Sequence, residues 1–250
     1  MIGLVRASVP SGFVAVTSLS QQTAFEATAE EKTGLMKSFE KLLLENKAWA
    51  EEVRERDPGY FERLDADQKP EFLWIGCSDS RVPADIIVNA LPGAIFAHRN
   101  IANQVICTDF NCLSVIQYAV QVLKVPHVIV CGHYNCGGVR AALDRQRPDL
   151  ELLNKWLMHI KDTYRMHRDE IDALNSQTER ANRLVELNVI EQVMRLSQFS
   201  IVQTAWKEDQ RPMLHGWVFG LDDGILHQLI TLPPGSDVDV IYQQHGGQDF

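Results

Sequence analysis

The sequence predicts an α/β fold: a mostly parallel central β-sheet flanked by helices, with an N-terminal helical arm. Three observations carry this expectation. Short apolar segments that read as strands alternate with stretches of helical periodicity. Val125 to Cys131 is almost wholly apolar, the pattern of a strand covered on both faces. The 250 residues are 45% hydrophobic, enough for one large core, with two small domains as the alternative.

Taken in order, Leu35, Phe39, Leu42, Leu43, Trp49, Ala50 and Val53 recur near one face, so a long amphipathic helix is expected over about residues 34–56. Asp57-Pro58-Gly59 ends it. Phe72 to Cys77 reads as a short buried strand ending in a loop, and Ala94 to His98 as a second strand. Thr108 or Asp109 caps a helix that runs through Leu123. Val125 to Cys131 is the third strand, after which the chain is expected to break at Gly132. Gly137-Gly138 opens another helix, and a helical region with gaps follows over about residues 150–206. Leu214 to Phe219 and Leu226 to Leu232 are strands joined by the Asp222-Asp223-Gly224 turn. No internal repeat is visible.

Charge and cysteine count narrow the function classes. The formal net charge is −9 and no Lys/Arg run occurs, which argues against nucleic acid or an anionic membrane as partner. No apolar run reaches the roughly 20 residues of a membrane helix. Five cysteines, an odd number in a chain this long, do not suit a secreted disulfide framework. Reduced thiols in the cytoplasm are expected instead. Residues 1–34 form an extension of unknown role, mobile or packed. Arg6 is its only basic residue before Glu26, so it is acid-poor like a transit peptide but poor in arginine. A mitochondrial or other organellar location is the alternative it leaves open.

Two motifs carry chemistry. Cys77-Ser78-Asp79-Ser80-Arg81 follows the first strand, and Gly132-His133-Tyr134-Asn135-Cys136-Gly137-Gly138 follows the third. Ligands of open α/β sheets sit at the carboxyl ends of strands, so Cys77 and His133 converge if those strands are neighbours. Two thiols and an imidazole suit Zn²⁺, and three ligands leave the fourth tetrahedral position for water, as in catalytic sites. Cys107, Cys112 and Cys131 lie in apolar contexts and are read as structural. Asp79 can reach the metal as a fourth ligand, closing the site, or turn to Arg81 in a bidentate pair. An ordinary surface ion pair is the alternative. Zinc-bound water titrates near pH ~7, and two thiolates are expected to raise that value, so activity should rise with pH. Carbon dioxide suits a narrow cleft lined by Val82, Ile101 or Tyr118, with backbone N–H groups of Gly137 and Gly138 holding product charge. His98 is expected to hydrogen-bond a neighbour; the other histidines have no metal-ligand spacing.

These motifs, together with Trp74-Ile75-Gly76-Cys77, Arg81-Val82-Pro83, His98-Arg99-Asn100, Asp109-Phe110-Asn111-Cys112 and His215-Gly216-Trp217-Val218, resemble the beta carbonic anhydrases over about residues 35–243. The resemblance implies one zinc per chain on Cys77, His133 and Cys136, and reversible hydration of carbon dioxide to bicarbonate and a proton by zinc-bound hydroxide. It implies an Asp79–Arg81 catalytic dyad and a domain over 35–250. It also implies a homodimer, or a dimer of dimers, with Tyr118 lining an active-site cleft at the interface. The N-terminal helix of one subunit would pack on its neighbour. A bicarbonate-regulated subgroup is similar at Trp74 and Arg99, but Phe219 lacks the hydroxyl of the third position. Trp74 as a core aromatic and Arg99 as a structural ion-pair partner is the competing reading of those residues. Two rivals remain: a carbonyl sulfide or carbon disulfide hydrolase on the same scaffold, and a non-catalytic zinc-stabilised assembly module.

Overall fold

The computed structural model describes residues 29–244, with side chains from residue 37, and divides into two compact units between Phe61 and Glu62. Residues 1–28 of the predicted extension and His245 lie outside the described residues. In the first unit α1 (Ala29–Arg56) starts some residues before the expected position and ends at Asp57-Pro58, as expected. Asp57 N–H donates to Val53 O at 2.9 Å, and Trp49 meets the rings of Tyr60 and Phe61 edge-on. Phe39, Leu42 and Leu43 are exposed.

The second unit carries a five-stranded sheet in the order β2-β1-β3-β4-β5. Its elements are α2 (Tyr60–Asp65, begun in the first unit), β1 (Phe72–Cys77), α3 (Ala84–Ile87), β2 (Ile95–Asn100), α4 (Phe110–Gln117), β3 (His127–His133), α5 (Gly137–Leu143), α6 (Glu151–Met166), α7 (Arg168–Asp172), α8 (Gln177–Gln198), α9 (Ser200–Asp209), β4 (Met213–Phe219) and β5 (Leu226–Leu232). β2, β1, β3 and β4 are parallel, and β5 closes the edge antiparallel to β4. The central strands β1 and β3 are buried over nearly their whole length, which is why they read as apolar runs, whereas edge strand β2 is half-exposed.

Strand ends shift by one or two residues from the sequence reading, and two differences bear on packing. β3 runs through Gly132 and ends on His133, so Gly132 is a strand residue and not a breaker. A Cβ at Gly132 would stand 2.7 Å from Val189 Cγ2, and one at Gly216 would stand 2.7 Å from Ile230 Cγ2 and 3.0 Å from Val189 Cγ1. These glycines are there for space: they let α8 approach β3 and β4. Gly216→Ala is therefore expected to lower unfolding free energy by about 1–3 kcal/mol, because the branched neighbours cannot move aside. A denaturant midpoint equal to that of the parent would contradict this. The second difference is the helix after Asp109. The Asp109 carboxylate caps it by accepting from Asn111 N–H at 3.0 Å, but it widens to a π-helical turn over Tyr118–Val122.

α8 is the organising helix. Its start is a capping box between Ser176 and Glu179, and it packs on β3, β4 and β5. From its buried face Gln192 Oε1 accepts from Val105 N–H at 2.8 Å, and Asn188 Nδ2 donates to Ala102 O at 3.1 Å. Those bonds pin the segment after β2, in which Ala102 and Asn103 both have left-handed φ, 62° and 48°. Neither is glycine, so the conformation costs about 1–3 kcal/mol per residue, which the buried amides offset. No helix among the described residues is long and apolar enough to cross a membrane.

Candidate active site

Cys77 is the last residue of β1 and His133 the last of β3, and these strands are hydrogen-bonded neighbours. Cys136 caps the start of α5. The topology thus brings the three predicted donors together at the carboxyl edge of the sheet, where their ligand atoms all lie within 4.8 Å of one another. The two sulfurs are 3.9 Å apart, against about 3.8 Å for two thiolates on one tetrahedral zinc at ~2.3 Å bonds. All three side chains are buried.

The imidazole is oriented for the purpose. His133 Nδ1 lies 3.0 Å from Tyr134 O, a carbonyl that can only accept, so Nδ1 carries the proton. Nε2 is then a bare lone pair, buried, with no hydrogen-bond partner. An unsatisfied buried acceptor is costly, and a metal ion between it and the two sulfurs removes that cost. The two sulfurs share a hydrogen bond, which favours one thiolate: Cys77 is pulled down by it, while the Cys136 thiol is pushed up by that bond and by burial. Backbone N–H groups of Asp79 and Ala102 also favour the Cys77 thiolate, and those of Gly138 and Val139 do the same for Cys136.

Asp79 stands at the rim. Arg81 holds both its oxygens, with Nε to Oδ1 at 2.9 Å and Nη2 to Oδ2 at 2.8 Å, and the Arg81 N–H adds a third bond to Oδ1 at 3.0 Å. The guanidinium keeps the Asp79 carboxyl well below the usual carboxylate range. Oδ2 is still only 3.8 Å from His133 Nε2. The structure thus has Asp79 turned to Arg81, within a short swing of the three donors.

Other predicted residues divide. Gly137 borders an open cavity of about 580 Å³ with Asp79, Arg81, Asn135, Arg140 and Asp222. Gly138 does not: it sits against Ile101 and Ala102, where a Cβ would come 2.8 Å from Ile101 Cγ2. Val82 is buried in the core, and Tyr118 lies beside Phe96 with ring centroids 5.7 Å apart. Of the three regulatory candidates, Trp74 packs edge-on against Trp217 and Phe219 is buried. Arg99 donates from Nε to Cys77 O at 2.9 Å and from Nη2 to Asp79 O at 2.5 Å, so it braces the loop that carries both residues. His98 meets Asn100 at 3.2 Å, as expected. Cys112 and Cys131 are core thiols raised by burial, Cys112 to about 12, whereas Cys107 is exposed, against the expectation that all three spare cysteines are structural.

Sequence reasoning missed the braces on the second motif: Tyr134, whose hydroxyl donates to Glu186 at 2.8 Å, and Asn182, whose side chain accepts from Asn135 N–H at 3.3 Å. Only the left-handed Asn135, φ 57°, carried a local signal, since asparagine tolerates that region.

A buried pair of cysteines and an imidazole at the carboxyl edge of a parallel sheet, with no fourth cysteine or histidine in reach among the described residues, could hold a metal ion and leave one tetrahedral position open. Comparisons with known proteins agree. The carbonic anhydrase family matches over residues 72–226. A carbonic anhydrase of Emericella nidulans is 49% identical over 83% of this chain and 91% of its own length. One of Saccharomyces cerevisiae is 32% identical over 78% of the chain and 90% of its own length. Among solved structures, a tetrameric beta-carbonic anhydrase of Sordaria macrospora superposes with a TM-score of 0.75 at 38% identity, covering 78% of this chain and 99% of that one. A beta-carbonic anhydrase of Aspergillus fumigatus gives 0.73 at 41% identity, covering 77% and 90%. The chain belongs to the beta class of the carbonic anhydrase family, and is a carbonate dehydratase.

Proposed function

We propose that the chain hydrates carbon dioxide reversibly to bicarbonate and a proton, with one zinc ion per chain held by Cys77, His133 and Cys136. The observation that carries this is the buried, unpartnered His133 Nε2 facing two sulfurs at tetrahedral spacing. Zinc bound there supplies Lewis acidity, bringing the pKa of a coordinated water from about 15.7 towards ~7 and so providing a nucleophile near neutral pH.

The remaining work falls to the protein. Asp79, ionised at all working pH values, accepts a hydrogen bond from the attacking water and orients it. Arg81 keeps that carboxylate off the metal, and Arg99 fixes the backbone between Cys77 and Asp79. Gly137, without a side chain, leaves the cavity open to a small substrate. Regulation by bicarbonate at Trp74, Arg99 and Phe219 would draw on the Arg99 donors other than the two given to Cys77 O and Asp79 O.

Stopped-flow hydration of carbon dioxide across pH, with and without added bicarbonate, tests the reaction. Turnover rising from neutral to alkaline pH supports it. Turnover of carbonyl sulfide or carbon disulfide with none of carbon dioxide would replace it, and no turnover of any of them would leave only the assembly module.

We also propose assembly as a dimer or a dimer of dimers. Phe110 and Leu152 are 84% and 80% exposed, large apolar side chains that a partner copy would cover. Sedimentation at micromolar concentration should give at least a dimer, and a monomer would overturn this.

A further inference from the structure

We propose that Glu186, on α8, is a positioning residue for the metal centre, acting through the Tyr134 hydroxyl on the carbonyl that sets the tautomer of His133. The inference rests on the metal reading above and extends it to residues that touch no ligand atom of the site.

His133 can offer Nε2 only while Nδ1 has a fixed acceptor, and that acceptor is Tyr134 O. The position of this carbonyl therefore decides whether the imidazole is preset as a ligand. Residue 134 is held at its backbone and at its side chain. Its N–H donates to Phe219 O at 3.0 Å, and its hydroxyl donates to Glu186 Oε1 at 2.8 Å. The next residue, Asn135, turns left-handed and donates its N–H to Asn182, four positions before Glu186 on the same face of α8. The chain between two of the three donors is thus tied to one helix by two side chains.

Glu186 is itself fixed. Its Oε2 takes a charge-assisted bond from Arg183, whose Nε reaches Glu170 of α7 at 2.6 Å, which leaves Oε1 for the tyrosine. Had the Tyr134 ring been needed only for packing, phenylalanine would serve, and the hydroxyl would have no use for a carboxylate.

The test is zinc affinity, by competition with a chromogenic chelator, on the purified full chain and its variants. Tyr134→Phe removes only the hydroxyl, and Glu186→Ala removes its acceptor. Each should weaken zinc binding by about tenfold or more, the size typical of a lost outer partner of a metal ligand. The double variant should bind no worse than the weaker single one, since both remove the same bond. Glu186→Gln keeps an acceptor oxygen and should restore most of the loss. Glu170→Gln, which breaks the outer ion pair alone, should bind like the parent.

A loss below about fivefold in Tyr134→Phe or Glu186→Ala, a double variant losing the product of the two, failure of Glu186→Gln to rescue, or an equal loss in Glu170→Gln would each overturn the proposal. A parent chain that takes up no zinc would instead overturn the metal reading on which it depends.

Discussion

His133→Ala should emerge from purification with little or no zinc and with carbon dioxide hydration at the uncatalysed background. The substitution removes one donor of three and leaves two buried sulfurs 3.9 Å apart. Two thiolates on one side of an ion cannot complete a tetrahedral shell, and no other cysteine or histidine stands within reach among the described residues. The loss should also be visible without an activity assay. A metal that binds only the folded chain stabilises it, by about 4 kcal/mol at a thousandfold excess over Kd. Added zinc should therefore raise the melting temperature of metal-stripped parent protein and leave His133→Ala unmoved. Stoichiometric zinc in the variant, or an equal thermal response, would show that the histidine is not a ligand.

Asp79→Asn should keep its zinc and lose about 10²- to 10⁴-fold in hydration, the usual range for a positioned acid–base group. Asparagine has the same shape, but it presents one neutral acceptor oxygen in place of two ionised ones, so it cannot hold Arg81 through both oxygens and orient the attacking water as the carboxylate does. Arg81→Ala should lose activity by a different route. Freed from the two guanidinium bonds and left only the backbone N–H of residue 81, the carboxylate has its Oδ2 already 3.8 Å from His133 Nε2 and can fall in towards the donor set. Both variants should retain one zinc per chain, which separates them from His133→Ala. The sign with pH is also fixed. The Asp79 carboxyl is depressed by Arg81, so it stays ionised until the pH is far below neutral, and any activity lost between pH 9 and pH 6 belongs to another group. Near-normal turnover in either variant would remove the dyad from the mechanism.

The donors were legible in the sequence because a strand end is a local signal. The apolar run to Cys77, and the run that stops near His133, place both residues at the carboxyl edge of any parallel sheet in which they pair. Asp109 as a cap, and the Asp222-Asp223-Gly224 turn, were legible for the same reason. Gly132 misled because glycine as a breaker and glycine as a gap for a packed helix look alike until Val185 and Val189 are in place. The left-handed Ala102 was invisible, since alanine carries no mark of a strained φ that distant Asn188 and Gln192 sustain. Glu186 and Asn182 were invisible too: on a long polar helix face they resemble solvated residues, and only the tertiary fold sets them against Tyr134 and Asn135. Arg99 was read either as a contact for an anion or as a structural ion-pair partner, and in the fold two of its donors brace backbone carbonyls, a role that no local pattern marks.

The account stands on one zinc ion shared by two sulfurs and one ring nitrogen. Metal analysis of the reduced protein together with its zinc X-ray absorption spectrum tests this directly. The prediction is one zinc per chain, with two sulfur neighbours at about 2.3 Å and two lighter ones at about 2.0–2.1 Å. A metal-free protein, or a zinc shell of four sulfurs or of none, would contradict it.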